Sequence, residues 1–69
     1  MQDDVDAMTY EEAVTELERA VALLGREQDD LELAVRTYER GLALARRCAR
    51  LLDDARLRLD QIIEPGAPA

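Results

Sequence analysis

The sequence predicts an all-α fold: an antiparallel two-helix hairpin, coiled-coil-like, with a short first helix and a long second helix. Three observations carry this expectation. Apolar residues recur at steps of three and four in two separate stretches, as one face of a helix requires. Between the stretches lie a glycine and five polar residues, Gly25-Arg26-Glu27-Gln28-Asp29-Asp30, which suit a surface connection. Nowhere do apolar and polar residues alternate in the manner of a strand.

Residues 1–8 read as a short disordered lead. Thr9 reads as an N-cap, with Glu12 three places later to complete a capping box. Met8 and Ala13 occupy the staple positions, and Glu11 and Glu12 favour the positive end of the helix dipole. Tyr10, Ala13, Val14, Leu17, Ala20, Val21 and Leu24 form the apolar face of a helix over about residues 10–24. Gly25 is the expected stop, closing the helix in the left-handed conformation. Either Asp29 or Asp30 can cap the next helix, and Asp29, with Glu32 three residues on, has the better box.

The second helix is expected over about residues 31–63. Its main stripe is Leu31, Val35, Tyr38, Leu42, Ala45, Ala49, Leu52, Ala55 or Arg56, Leu59, and Ile62 or Ile63, a coiled-coil rhythm. Leu33, Leu44 and Leu51 lie off this stripe and widen the apolar arc. Glu32–Arg36, Arg50–Asp54 and Arg56–Asp60 are spaced for weak ion pairs along the helix. Pro65 and Gly66 end it, so the hairpin domain is expected over 9–64, with a frayed tail over 65–69. A short connection makes the helices antiparallel neighbours, which would set Leu24 near Leu31 and Tyr10 near Ala45. Beyond Ala45 the second helix outruns the first, yet its stripe continues to the end. A lone helix gains little from such a stripe, so something outside the hairpin should cover it.

Composition narrows the function. A chain of 69 residues is at most one domain, and one this small often needs disulfides, metal or partner subunits to bury enough surface. Cys48 is the only cysteine and there is no histidine, which excludes an internal disulfide and a cysteine–histidine nucleophile and argues against a zinc site. No metal or cofactor is expected. The net charge is −7, distributed unevenly: residues 1–32 hold eleven acids and two arginines, and residues 33–69 five acids and seven arginines. The acidic half should repel a phosphate backbone. No apolar run approaches the roughly 20 residues that span a bilayer, and the acidic N-terminus lacks the positive start of a secretion signal. A cytoplasmic location is expected, with Cys48 reduced.

Individual residues have bland and sharper readings. Gly41 is either a tolerated defect inside a helix or a point of close helix approach. Cys48 reads as a small buried hydrophobe. Tyr10 and Tyr38, the only aromatics, read as packing residues near one face of the hairpin rather than as base-stacking groups. Arg46, Arg47 and Arg50, with Arg56 and Arg58 beyond, either meet acids from the first helix or another chain, or contact single-stranded DNA. Glu12 and Glu16 form an i,i+4 pair, and Asp53 would join Glu12 only if the fold brought them together. Solvated helix faces account for these acids, since a thin hairpin offers no concave pocket for hydrolysis.

Thr9-Tyr10-Glu11-Glu12-Ala13, then Glu16-Leu17-Glu18 with Val21 and Leu24, then Tyr38-Glu39-Arg40-Gly41 with Leu44, Cys48, Leu52 and Ala55, resemble in order the pattern of the exodeoxyribonuclease VII small subunit family. The resemblance covers about residues 9–59. It departs in the connection, where relatives commonly have a glycine, a leucine and a serine cap and this chain has Glu27, Asp29 and Asp30. It implies a bacterial cytoplasmic subunit without hydrolytic residues, belonging to a nuclease that degrades single-stranded DNA. It further implies a large subunit that carries the OB-fold and catalytic domain, with several small subunits bound to its long helical part. The expected packing or partner contacts are Tyr38, Gly41, Leu44, Cys48, Leu51, Leu52, Ala55 and Leu59. The expected partners are the large subunit and other copies of this chain, with DNA reached only through the complex and no membrane contact. A self-associating scaffold without nuclease connection is the alternative, and a direct DNA-binding module a third.

Overall fold

The computed structural model describes residues 3–26 and 30–63. The elements are α1 (Asp3–Asp6), α2 (Tyr10–Leu24) and α3 (Leu31–Ile63). There is no strand among the described residues. α2 and α3 pack antiparallel as a hairpin of unequal arms. At about 1.5 Å per residue α2 is roughly 22 Å long and α3 roughly 50 Å, in a molecule 57 Å along its longest axis.

Local chemistry sets the helix ends. Thr9 sits in extended backbone (φ −70°, ψ 166°) and caps α2. Its hydroxyl accepts from the Glu12 N–H at 3.2 Å, while the Thr9 N–H donates to Glu12 Oε1 at 2.9 Å. This reciprocal pair satisfies two amides that the helix itself leaves without partners. At the other end the expectation for Gly25 is corrected. It keeps right-handed helical backbone (φ −75°, ψ −11°). The Gly25 N–H donates to the Val21 carbonyl at 3.0 Å and the Arg26 N–H to that of Leu23 at 3.2 Å. A tightened last turn does the work expected of a left-handed residue.

The cap of α3 is Asp30. Its Oδ1 accepts from the Leu33 N–H at 3.1 Å, and its carbonyl accepts from the Ala34 N–H at 3.1 Å. That carbonyl opens the ladder, so Glu32 falls one position short of a reciprocal box. Asp29, the residue preferred from sequence, lies outside the described residues, as does the tail over 65–69.

The hairpin register also differs from the expected one. Pairing Leu24 with Leu31 would set Gly41 opposite Val14. Instead a Cβ added at Gly41 would stand 3.8 Å from the Ala20 Cβ and 4.0 Å from Leu17 Cδ1. Leu24 correspondingly lies beside Tyr38, and Leu23 beside Thr37. α3 therefore begins beyond the end of α2 and overhangs it at both ends. Tyr10 and Tyr38 sit towards opposite ends of the hairpin.

The row that α3 turns to α2 contains Gly41, Leu44, Cys48 and Leu51. Leu44 is fully buried and Cys48 nearly so, as are Ala13 and Ala20 of α2. Small residues on both helices let the backbones approach. Gly41 is thus a close-approach position, but one with room for a methyl group.

The N-terminal lead is ordered where it is described. Its composition, three aspartates around one valine, suggests no fold, and a single helical turn does not persist alone. It is held from outside: Val5 is 1% exposed, and arginines of α3 grip the turn on either side of it.

Two measurements of urea unfolding check this packing. Gly41→Ala is expected to be neutral or to add up to about 1 kcal/mol, from helix propensity, whereas Gly41→Leu should cost about 1–3 kcal/mol by overpacking. Asp30→Ala should cost about 1 kcal/mol by removing the α3 cap. A Gly41→Ala variant as unstable as Gly41→Leu would contradict the spacing described.

Candidate protein interface

A heptad rhythm on one helix can support more than one row. The row facing α2 advances through positions 34, 37, 41, 44, 48 and 51. The stripe that dominates the sequence runs one residue later, through Leu31, Val35, Tyr38, Leu42, Ala45, Ala49, Leu52, Arg56, Leu59 and Ile63. Neighbouring residues are turned by about 100° about the axis, so these are distinct faces. α2 occupies the first and leaves the second in solvent. Tyr38 is 57% exposed and Leu52 52%, and the large members of the stripe are exposed from Leu31 to Ile63. The exposed seam therefore includes the part of α3 that runs beside α2, not only its overhang.

The expected contact residues separate accordingly. Gly41, Leu44, Cys48 and Leu51 point into the hairpin. Tyr38, Leu52, Ala55 and Leu59 point outward. Sequence reasoning left Leu31, Val35 and Leu42 out of the contact set, although their places in the stripe were plain. It also passed over Val21 and Leu24 of α2, which are exposed and extend the apolar face sideways. Leu17, Val21, Leu24, Tyr38 and Leu42 line a shallow groove of about 200 Å³ that is entirely apolar. Further along, Ala49, Leu52, Asp53, Ala55, Arg56 and Leu59 border a second, open and mainly apolar depression of about 550 Å³. Together these form a long apolar strip suited to a facing helix.

The polar groups are arranged for structure rather than hydrolysis. Asp4, Glu11, Glu12 and Glu16 border an open groove of about 610 Å³. Asp4 accepts from Arg40, Glu12 is engaged with Thr9, and Glu16 accepts from Arg19 at 3.0 Å. Among the described residues no cluster of three or more cysteine, aspartate or glutamate side chains could hold a metal ion. Cys48 carries a free thiol buried in the hairpin. Glu32 and Arg36 pair along α3 as their spacing suggests. Arg50 does not serve Asp54. It reaches Asp6 at 3.1 Å. Arg40 binds both Asp4 oxygens, at 2.6 and 3.4 Å. Arg47 donates from Nε and Nη2 to the Met8 carbonyl at 3.1 and 2.9 Å. The acids that meet Arg40 and Arg50 come from the N-terminal turn, a source the sequence reading did not consider. The signal was the pair of aspartates flanking Val5. The hydrogen bond from Arg40 holds the Asp4 carboxyl below its ordinary value, despite some opposing desolvation.

No helix among the described residues is long and apolar enough to cross a membrane. The family model described as exonuclease VII small subunit matches residues 10–61. An exodeoxyribonuclease 7 small subunit of Phenylobacterium zucineum is 48% identical over 68 residues, covering 96% of this chain and 85% of the relative. Those of Gluconobacter oxydans and Bradyrhizobium diazoefficiens are 44% and 48% identical, covering 93% and 88% of this chain and 77% and 74% of the relatives. No solved structure matches the chain.

The docked turn should respond to acid in one direction. Asp4 has a lower pKa docked than released, so its contribution is complete above the ordinary value of 3.8 and is lost as pH falls through the docked value. Arg40 stays charged throughout. Amide exchange at Met8, whose N–H bonds to the Val5 carbonyl at 3.1 Å, should lose protection over that acid range before α2 and α3 separate. An Asp4→Asn variant should not show this acid step.

Proposed function

The chain belongs to the exonuclease VII small subunit family, and on that premise we propose that it is the non-catalytic small subunit of exodeoxyribonuclease VII, which binds and stabilises the large catalytic subunit through the exposed seam of α3. The large subunit hydrolyses single-stranded DNA exonucleolytically. This chain supplies no hydrolytic group. It meets DNA only through the assembled enzyme, in the cytoplasm.

One observation carries the reading: the seam from Leu31 to Ile63 stays exposed along the whole helix while a different face packs against α2. Burying a large apolar side chain is worth roughly 1.5–3 kcal/mol. Tyr38, Leu42, Leu52 and Leu59 are about half covered already, so burying the rest of all four is worth roughly 3–6 kcal/mol, a large part of a small domain's stability of about 5–15 kcal/mol. A long helix of the large subunit, laid along this seam, would satisfy it with the same heptad spacing. In the absence of that chain, copies of the small subunit pair along the seam.

Co-expression with the large subunit tests this. Leu52 is half exposed, so Leu52→Asp should leave the hairpin's own stability within about 0.5 kcal/mol, yet reduce co-purification of the large subunit by about tenfold or more, equivalent to about 1.4 kcal/mol. Nuclease activity in the mixture should fall in parallel. Normal assembly by Leu52→Asp and Leu42→Asp alike, or full activity and solubility of the large chain alone, would refute the proposal. Light scattering over a concentration series should show self-association that the same substitutions remove.

A further inference from the structure

α1 is a four-residue helix with three acidic side chains and one buried valine. Nothing internal to it maintains the turn. It is seated on α3 by Arg40 and Arg50, which bind Asp4 and Asp6, by Arg47, which holds the Met8 carbonyl, and by the pocket that takes Val5. Arg40 and Tyr38 are two residues apart, hence about 160° apart around the axis. The seat therefore lies on the side of α3 away from the seam.

We propose that this seat is a docking site for an acidic segment of a partner protein, with α1 as its resident occupant, displaced when that segment binds. The occupant's chemistry is written in α1 itself: carboxylates on either side of one β-branched apolar residue, as in Asp4-Val5-Asp6. The seat is also incompletely matched by α1. Arg40 and Arg50 receive carboxylates, but the arm offers the part-buried Arg47 guanidinium a neutral carbonyl. The Arg47 bonds to that carbonyl already have an ionised donor, and a carboxylate in its place adds the attraction between two full charges. A segment presenting a third carboxylate to Arg47 therefore has an advantage that offsets the tether of the resident arm. The ion pairs of α1 are substantially exposed, with side-chain exposures of 36% and 59% at Arg40–Asp4, and such pairs hold only weakly. Displacement is thus within reach. A nucleic acid fits the seat less well, because it has no apolar group for the Val5 pocket and would run beside Glu11, Glu12 and Glu16.

The test uses the full chain carrying Val5→Asp, which ejects α1, beside the unaltered chain. The probe is a fluorescently labelled peptide with the sequence of residues 1–8, titrated into the millimolar range and followed by anisotropy. The tethered arm acts at an effective concentration of that order, so the unaltered chain should bind the peptide about tenfold more weakly than Val5→Asp. Adding Arg40→Ala and Arg47→Ala to Val5→Asp should abolish binding. Circular dichroism and loss of exchange protection at Met8 verify that α1 is released while α2 and α3 persist. Should Val5→Asp unfold the hairpin, Asp4→Arg with Asp6→Arg, both at exposed positions, releases the arm by charge instead. Equal binding to the released and unaltered chains, or no binding to either, would overturn the proposal. So would tight binding of a thymidine oligonucleotide that the peptide does not compete, or an arm that stays protected in both variants.

Discussion

The molecule is organised by the closeness of α2 to a row of small residues on α3. Gly41 meets Ala20 and Leu17, and Ala13, Ala20 and Cys48 are buried with Leu44. Small side chains allow the helix axes to come together, and that commits α2 to one face. The larger side chains of α3 are one residue away and turn outward. The result is a thin core among the described residues, in which only Leu44 and Val5 are both sizeable and fully enclosed. Small domains with little buried surface are ordinarily marginal. Here the apolar surface needed for stability exists, but it faces away from the hairpin, where only another chain can use it.

α3 is a rod with three distinct faces. α2 takes the small-residue row, α1 takes a side marked by Arg40, Arg47 and Arg50, and the leucine-rich seam stays exposed. The uneven charge of the chain follows from this division. Acids gathered in the first half and arginines in the second bring the N-terminal turn onto the rod, so part of the basic charge of α3 is engaged within the molecule. Of the seven arginines in residues 33–69, three (Arg40, Arg47 and Arg50) are engaged with residues 4–8.

Much of the hairpin was legible because helix ends and apolar periods are local. Thr9 and Glu12 interact across one turn, and the steps of three and four need no knowledge of the partner. What was not legible depended on distance in the chain or on a choice between near-equal options. Asp29 and Asp30 are adjacent and both can cap; the position of the first ladder carbonyl decides. Two heptad rows one residue apart look alike in sequence, and the larger residues drew attention to the row that α2 does not use. The preference for small residues at close approach was the information that would have separated them. The folding of Asp3–Asp6 was hidden for the same reason: its partners are some forty residues away, and its own composition speaks against a helix.

A seam built only of leucine and alanine repeats itself every seven residues, so a facing helix could slide by two turns and find almost the same surface. Arg56 interrupts that repetition. Sitting between Leu52 and Leu59, it places a charge where the rhythm calls for an apolar knob, and a polar group at one such position is known to set alignment at some expense of stability. A helix laid along the seam as proposed would meet a charge at that level alone, flanked by Asp53 and Asp60 of α3 itself. One arginine thereby turns a periodic track into a ruler with a single mark.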